Sequence, residues 1–260
     1  MTRTAISPRL AIRIFFSTGA NVEGMAATPS IWELREVPQT GSTNTDLLQS
    51  AEAGEIAHRT VLRTDHQTAG RGRLDRRWDA PAGTNLLASM YLDVAQSKAS
   101  DAMHRVGLAV VHAVTELEST DSTVGLKWPN DVLLHGAKLA GILAQRSTSA
   151  PGIVVGFGVN VGWAPPGAAR VHDLDASVTP ASLLQRVLDA FDALPDDIST
   201  AYRARLQTLG RRVRVELPGS VNVFGQAIDV DADGRLMVRL DDGEIRVFDV
   251  GDVVHLRPAT

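Results

Sequence analysis

Cysteine is absent from the 260-residue chain, which excludes disulfides, thiolate metal sites and a cysteine nucleophile. The sequence also lacks any uninterrupted apolar run that approaches the roughly 18 residues of a membrane-spanning helix. A surplus of basic residues is missing as well, since the formal net charge is -4. Proteins that grip the phosphate backbone of nucleic acid normally carry such a surplus. The composition therefore argues against general nucleic-acid binding.

Several familiar catalytic motifs are missing too. The sequence contains no Walker loop, no Gly-x-Ser-x-Gly elbow and no His-Glu-x-x-His motif. Its seven histidines are scattered without the spacing of metal ligands. We therefore expect no protein-bound metal site and interpret the histidines as surface or packed residues.

The first 30 residues match no targeting pattern. They carry Arg3, Arg9 and Arg13, with no acidic residue in the first 22 positions. Two of these arginines interrupt the apolar core that a signal peptide requires. The segment is also too short for a three-helix DNA-binding module. We expect residues 1–30 to be a disordered tail or to precede the working start site, for which Met25 is a candidate.

The rest of the chain divides into two regions that differ in their pattern of predicted secondary structure. Strand-like and helical segments alternate over residues 31–210. Apolar spacing predicts a helix at 100–118, and a further helix is expected at 198–209. From residue 211 onwards, short alternating strands are separated by Pro-Gly and Asp-Gly turns. We therefore place a domain boundary at residue 210, with a small β domain after it.

The most informative segment is the run Gly-Arg-Gly-Arg-Leu-Asp-Arg-Arg-Trp at residues 70–78. Glycine lets the backbone approach a ligand closely, and arginine supplies forked donors for phosphate or carboxylate oxygens. The tryptophan offers a flat apolar face to a ring. The run predicts a mobile loop that closes over an anionic, ring-bearing ligand. A solvated basic loop or a nucleic-acid patch is the alternative, and the acidic net charge favours the small ligand.

Three more clusters bear on chemistry. Residues 42–44, Ser-Thr-Asn, group hydroxyls and an amide at a predicted helix start, where simple capping is the alternative. Residues 127–131, Lys-Trp-Pro-Asn-Asp, precede Lys-Leu-Ala-Gly at 138–141. Two cations around an amide and a carboxylate suit phosphoryl or adenylyl transfer, although such a turn is also common on solvated surfaces. The glycines of Gly-Phe-Gly-Val-Asn at 156–160 indicate a ligand or a backbone lying close to a strand.

Taken in order, these motifs resemble those of the biotin–protein ligases, and the resemblance covers roughly residues 31 to 257. The tandem of Lys-Trp-Pro-Asn-Asp and Lys-Leu-Ala-Gly-Ile-Leu is its most specific part. Asp75 stands where the family's loop normally has glycine. Aspartate tolerates left-handed backbone angles better than most residues, so the turn is compatible with it.

The resemblance implies an α+β fold. A central mixed β-sheet with flanking helices, similar to class II synthetases and to the Src-homology-2 fold, would occupy residues 31–210. A small Src-homology-3-type β-barrel would follow at 211–260. The DNA-binding module that some relatives carry is not expected in this sequence.

The resemblance also implies a two-step reaction with ATP, Mg²⁺ and biotin. Biotin is first activated to biotinyl-5'-AMP and is then transferred to a lysine of a biotin carboxyl carrier domain. We expect a cytoplasmic enzyme that binds neither nucleic acid nor membrane, and both a monomer and a homodimer are compatible with the family. The magnesium would enter on the ATP phosphates and have no protein ligand.

The resemblance carries over residue by residue. The catalytic candidates are Lys138, Arg71 and Asp131. The biotin-contacting candidates are Ser42, Thr43, Asn44, Gln67, Gly70, Arg71, Gly72, Arg73, Lys138 and Gly141. The candidates for contact with ATP or the adenylate are Arg73, Arg76, Trp78, Lys127, Asn130, Asp131 and Asn160.

Three other functions compete with this interpretation. Lipoate or octanoate attachment uses a related core, but the arginine run and Lys-Trp-Pro-Asn-Asp favour biotin. A biotin-responsive transcription regulator would need a DNA-binding module, of which residues 1–30 give no sign. A binding protein without activity is disfavoured by the presence of Lys138, Asp131 and the loop arginines.

Overall fold

The computed structural model describes residues 11–17, 30–95, 99–117, 123–217, 219–249 and 251–255. Its strands are β1 (Ala11–Ser17), β2 (Ser30–Thr40), β3 (Thr60–Gln67), β4 (Leu86–Leu92), β5 (Val124–Lys127), β6 (Asp131–Leu134), β7 (Ala137–Gln145), β8 (Ile153–Val159), β9 (Arg212–Leu217), β10 (Val221–Val230), β11 (Leu236–Leu240), β12 (Ile245–Phe248) and β13 (Asp252–His255). Its helices are α1 (Thr43–Glu52), α2 (Ala99–Thr115), α3 (Pro180–Ala193) and α4 (Ser199–Arg205).

Strands β1 to β8 form one mixed sheet in the order β1-β2-β3-β4-β8-β7-β6-β5. The pair β2–β3 is parallel and the other neighbours are antiparallel. Strand β4 lies at the centre and is buried along its whole length. The expected mixed sheet is confirmed, and the tight hairpins β5–β6 and β6–β7 bring the two lysine motifs side by side.

The helices cover opposite faces of this sheet. Successive residues of a strand point to opposite faces, and Val61 and Met90 belong to the main apolar core with α2 and α3. Their neighbours Leu62 and Tyr91 instead pack in a smaller cluster with Leu47 of α1. Among the described helices, α1 is therefore the one on this second face, and its N-terminus is directed to the middle of the sheet.

The structure corrects the expected end of helix α4. The sequence led us to expect a helix to residue 209, but α4 ends at Arg205. Leu206 instead forms a parallel bridge with Leu126, and the Gln207 amide donates to the Leu126 carbonyl at 2.8 Å. Pairing with the outer strand β5 replaces the last helical turn, which local spacing alone does not reveal.

The N-terminal expectation is also corrected in part. Residues 11–17 are not an unstructured tail but form β1, which pairs antiparallel with β2 over Ile12↔Arg35 and Ile14↔Glu33. Isoleucine and phenylalanine favour strands, and β1 satisfies the backbone groups that β2 would otherwise leave unpaired at the sheet edge. Residues 1–10 and 18–29 lie outside the described residues.

Strands β9 to β13 form a second, antiparallel sheet in the order β12-β11-β10-β9-β13. Among the described residues this strand order is open from β12 to β13, so closure into the expected barrel stays a prediction. This sheet is fixed to the core beside β5: the Trp128 indole donates to the Gly234 carbonyl at 2.9 Å, and Val213 and Val253 continue the main core. No helix among the described residues is long and apolar enough to cross a membrane.

Candidate active site

The residues predicted from the sequence meet in one cavity of about 410 Å³. Those that line it are Ser42, Thr43, Asn44, Gln67, Arg71, Gly72, Arg73, Arg76, Trp78, Lys127, Asn130, Asp131, Lys138, Gly141 and Asn160. Gly70 is the exception, since it lies buried at the base of the loop. A Cβ at Gly70 would approach the Trp78 carbonyl oxygen to 2.3 Å, so the closing of the loop requires glycine there.

The cavity is basic although the protein as a whole is acidic. Six basic side chains line it against four acidic ones. The basic members are Arg71, Arg73, Arg76, Arg77, Lys127 and Lys138, and the acidic members are Asp79, Asp131, Glu216 and Asp252. A positive cavity in a protein of net charge -4 attracts a small anion in preference to a polyanion.

The N-terminus of α1 forms the inner end of the cavity. Ser42 is the N-cap residue, but its side chain makes no capping hydrogen bond. Instead, the Thr43 amide and hydroxyl donate to Gln67 Oε1 at 2.9 and 3.1 Å. Simple capping therefore does not account for the Ser-Thr-Asn motif, because the Ser42 hydroxyl lies at the cavity wall without that role.

A second layer behind this end was not predicted. Ser89, fully buried on β4, lies 2.7 Å from Thr43 Oγ1 and 2.6 Å from Asn44 Oδ1, and its hydroxyl can donate to either. The signal in the sequence was a single serine in the apolar strand Leu-Leu-Ala-Ser-Met-Tyr-Leu. A buried hydroxyl needs a partner, and here it fixes the two side chains that face the cavity.

The glycines of β8 are explained by what lies over them. A Cβ at Gly156 would come within 2.1 Å of Asn44 Oδ1, and one at Gly158 within 2.5 Å of the Trp78 ring. Asn44 cannot easily retreat, because its Nδ2 donates to the Leu143 carbonyl at 3.0 Å and to Gln145 Oε1 at 2.8 Å. Gly156 and Gly158 have no side chains, so Asn44 and Trp78 can lie directly against strand β8. This agrees with the close approach predicted from the glycines.

The arginine loop folds back on itself as a short hairpin. Arg71 and Arg77 form an antiparallel bridge, and the Gly72 amide donates to the Arg76 carbonyl at 2.6 Å. Leu74 occupies the left-handed region at φ 53° and is 62% exposed. The tip of the loop thus holds a backbone angle that favours glycine, and its apolar side chain lies in solvent.

Trp78 closes the loop and covers the sheet between β7 and β8. A Cβ at Gly141 would lie 3.1 Å from its ring, and the Lys138 Nζ lies 5.7 Å from the ring centroid, within range of a cation–π contact. The Trp78 Nε1 is buried without a hydrogen-bond partner among the described residues. An indole N–H in that position needs an acceptor, which a ligand or a water could supply.

The β6–β7 hairpin places the main catalytic candidates together. Lys138 Nζ lies 2.6 Å from Asp131 Oδ1, with the lysine side chain 42% exposed and the aspartate 20% exposed. Nearby, Arg73 Nη1 contacts the Gly251 carbonyl at 3.1 Å and Asn130 Oδ1 at 3.5 Å. Burial, more than the neighbouring Arg76, lowers the pKa of Arg73, and Asp252 and Asp131 oppose that shift.

Asn160 lines the cavity but has its polar groups engaged by the protein. Its Nδ2 donates to the Ala169 carbonyl at 3.0 Å, and its Oδ1 accepts from Asn85 Nδ2 at 3.4 Å. Asn85 Oδ1 in turn accepts from the amides of Val161 and Trp163. Both asparagines are 2% exposed, so together they fix the chain after β8, and contact of Asn160 with a ribose stays a prediction.

The described residues contain no group of three or more His, Cys, Asp or Glu side chains arranged to hold a metal ion. Asp131 is instead paired with Lys138, and Asp252 is paired with Arg76.

Two family models and several known proteins match this chain. Residues 36–160 match the model of the biotin/lipoate A/B protein ligase family, and residues 208–256 match that of the biotin protein ligase C terminal domain. The biotin--[acetyl-CoA-carboxylase] ligase of Mycobacterium tuberculosis is 43% identical over an alignment of 242 positions, which covers 86% of this chain and 90% of that protein. The chain belongs to the biotin–protein ligase family.

Another family member and a solved structure extend the likeness. The biotin--[acetyl-CoA-carboxylase] ligase of Paracoccus denitrificans is 32% identical over 77% of this chain and 92% of that protein. The biotin protein ligase from Aquifex aeolicus in complex with biotin and ATP superposes with a TM-score of 0.67, over 86% of this chain and 98% of that one. At 23% identity the structural match supports the fold, and the α+β architecture predicted from the sequence is confirmed.

Proposed function

We propose that this protein activates biotin with ATP to biotinyl-5'-AMP and transfers the biotinyl group to a lysine of a carrier domain. One observation carries the proposal. A buried end of neutral hydrogen-bonding groups and a basic mouth share one cavity, with Lys138 between them, in a member of the biotin–protein ligase family.

The inner end suits the uncharged ring system of biotin. Ser42, Thr43 and Asn44 are each no more than 6% exposed, and Gln67 and Ser89 hold Thr43 and Asn44 in place. Neutral donors and acceptors fixed in this way recognise a polar ring without needing charge. The biotin carboxylate then points towards Lys138 and Arg71.

In the first step, a biotin carboxylate oxygen attacks the α-phosphorus of Mg·ATP. A bond forms between that oxygen and phosphorus, the bond from the α-phosphorus to the β-phosphate oxygen breaks, and pyrophosphate leaves. Bringing a carboxylate to a phosphate places like charges together, which Lys138 and Arg71 offset. Arg73, Arg76, Lys127 and Asn130 would hold the phosphates and the adenylate, and Trp78 would cover them.

In the second step, the ε-amine of the carrier lysine attacks the acyl carbon of the mixed anhydride. An amide bond forms, AMP leaves, and the amine loses its proton. Asp131, at the cavity wall, would orient the amine or accept that proton. The adenylate hydrolyses readily in water, so closure of the arginine loop would exclude solvent between the two steps.

The partners and setting belong to the same proposal. Magnesium is a substrate component bound to ATP, the acceptor is a biotin carboxyl carrier domain of a biotin-dependent carboxylase, and the reaction takes place in the cytoplasm. Nucleic acid has no part in this function.

Incubation of the protein with Mg·ATP, biotin and a biotin carboxyl carrier domain tests the proposal. We expect the intact mass of the carrier to increase by one biotinyl group, and pyrophosphate to be released even when the carrier is omitted. Lipoate in place of biotin should leave the carrier unmodified. Absence of pyrophosphate would contradict the proposal, and modification by lipoate alone would assign the chain to the rival activity.

A further inference from the structure

The arginine loop is attached to the C-terminal sheet through one carboxylate. Arg76 Nη2 forms an ion pair with Asp252 Oδ2, and Arg73 Nη1 lies 3.8 Å from Asp252 Oδ1. The same Arg73 nitrogen donates to the carbonyl of Gly251, next to Asp252 in the chain, at 3.1 Å. Two guanidinium groups of the loop therefore converge on the first residue of β13.

The other acidic groups of the cavity are engaged differently. Asp131 pairs with Lys138, and Glu216 pairs with Arg214 of its own strand at 2.5 Å. Asp79, at the end of the loop, lies 3.7 Å from Arg77 with both side chains mostly exposed. Asp252 is 19% exposed, and it is the carboxylate that binds the arginines assigned above to phosphate.

We propose that Asp252 is a positioning residue that acts as an internal counter-anion, holding the arginine loop against the C-terminal sheet until the nucleotide's phosphate takes over Arg73 and Arg76. The inference rests on the proposed function and adds a role for the C-terminal sheet in it. Arginine forks match carboxylate and phosphate oxygens alike. A phosphate at the same guanidinium groups therefore competes with Asp252 and is repelled by it.

Tryptic cleavage measures the attachment without any activity, because the loop offers four arginines to the protease. In the protein without substrates, Asp252→Asn should speed cleavage within residues 71–77 by several-fold, since the loop loses its anchor. Asp241→Asn is the matched control. Asp241 lies in the same C-terminal region and pairs with exposed Arg212, away from the loop, so its loss should leave loop cleavage unchanged.

Steady-state pyrophosphate release separates positioning from a fold defect. Asp252→Asn should lower the KM for ATP by about two- to five-fold, the range expected for loss of a partly exposed ion pair, while kcat stays within about two-fold because no reacting atom is touched. Asp252→Glu, which keeps the carboxylate, should restore both the wild-type KM and the slow cleavage. A loss of folded enzyme would instead lower the apparent kcat and would not lower the KM for ATP.

Two results would overturn the inference while leaving the proposed function intact. One is a wild-type enzyme that forms adenylate and an Asp252→Asn variant with unchanged or raised KM for ATP. The other is equal tryptic cleavage of the loop in wild type, Asp252→Asn and Asp241→Asn. A wild-type protein that releases no pyrophosphate would instead refute the proposed function, and the cleavage assay would still report on the attachment of the loop.

Discussion

The two ends of the cavity are built on opposite principles. At the inner end, Ser42, Thr43 and Asn44 are buried and neutral, and hydrogen bonds from Ser89 and to Gln67 fix Thr43 and Asn44. At the mouth, the groups are charged and partly exposed: Lys138 pairs with Asp131 of the same sheet, whereas Arg73 and Arg76 pair with Asp252 of the C-terminal sheet. One end is complete before a ligand arrives, whereas the other is held by ion pairs that a ligand can replace.

This difference follows from what each end would bind. Preformed neutral hydrogen bonds cost no reorganisation and discriminate by shape, which suits an uncharged ring. Phosphate affinity comes from cations, and unpaired cations crowded into a cavity repel one another. Pairing Arg73 and Arg76 with a removable carboxylate relieves that repulsion until the anion arrives.

The largest effect should come from the residue between the two ends. Lys138→Ala should slow adenylate formation by about 10² to 10³, as expected for loss of one donor that stabilises developing charge. Pyrophosphate release at saturating ATP and biotin measures it, with folded state checked by thermal unfolding. A rate within about three-fold of wild type would remove Lys138 from the chemistry and leave the two ends without a shared catalytic group.

A more moderate effect should follow from disturbing the inner end alone. Gly156→Ala places a methyl group 2.1 Å from Asn44 Oδ1, and overpacking of this kind costs about 1–3 kcal/mol of unfolding free energy. The KM for biotin should rise about tenfold, because small misplacements of positioning groups have large effects, while the KM for ATP should change little.

Gly41→Ala is the matched control for that substitution. No atom lies within 4 Å of a Cβ at Gly41, so its melting temperature should equal that of wild type. If both variants unfolded at the wild-type temperature, Asn44 would be mobile, and the inner end would not be preformed.

Acidification should act on the junction that supports the mouth. Burial lowers the pKa of His104, which stacks on Tyr202, to about 4, and the nearby Asp101 opposes this shift. The pKa of His255 is also lowered to about 4, mainly by burial and then by the charges of Lys127 and Arg211. Between pH 6.5 and 4 the unfolded chain binds protons that the folded chain does not, so the free energy of unfolding falls as pH falls and is fully restored above pH 6.5.

For His104 alone we expect a loss of about 2 kcal/mol between pH 7 and pH 5, from about 1.4 kcal/mol per unit of pKa shift. His104→Phe keeps an aromatic ring against Tyr202 and removes the titration. Denaturant unfolding of both proteins at the two pH values measures the difference. An equal loss in wild type and variant would place the pH dependence elsewhere.

The local part of the site could be predicted from the sequence. Adjacent turns set the hairpins around residues 127–138, so Lys127 and Lys138 necessarily lie close together in the folded sheet. The glycines at 156 and 158 indicated a close approach, and Asn44 and Trp78 make it. Such inferences succeed because they depend on strand geometry and turn chemistry over short stretches of chain.

The remainder depended on contacts that no short pattern encodes. The pairing of Arg76 with Asp252 joins residues 176 positions apart, and nothing near either residue indicates the other. Ser89 differs from an ordinary buried serine only by what lies opposite it on the folded sheet. The left-handed angle falls at Leu74, although the sequence drew attention to Asp75, because the loop's own bridge sets where it turns.

The close packing of the turn at Gly234 has a consequence for protein engineering. A Cβ at Gly234 would lie 2.0 Å from the His104 ring, and the carbonyl of Gly234 holds the indole of Trp128, the residue between Lys127 and the Pro-Asn-Asp turn. Truncation of the chain at residue 210 would therefore remove the contact that supports the turn with Asn130 and Asp131. A chimera that exchanges the C-terminal sheet would need a glycine at the position of Gly234 and ring side chains at positions 104 and 128 that pack against it.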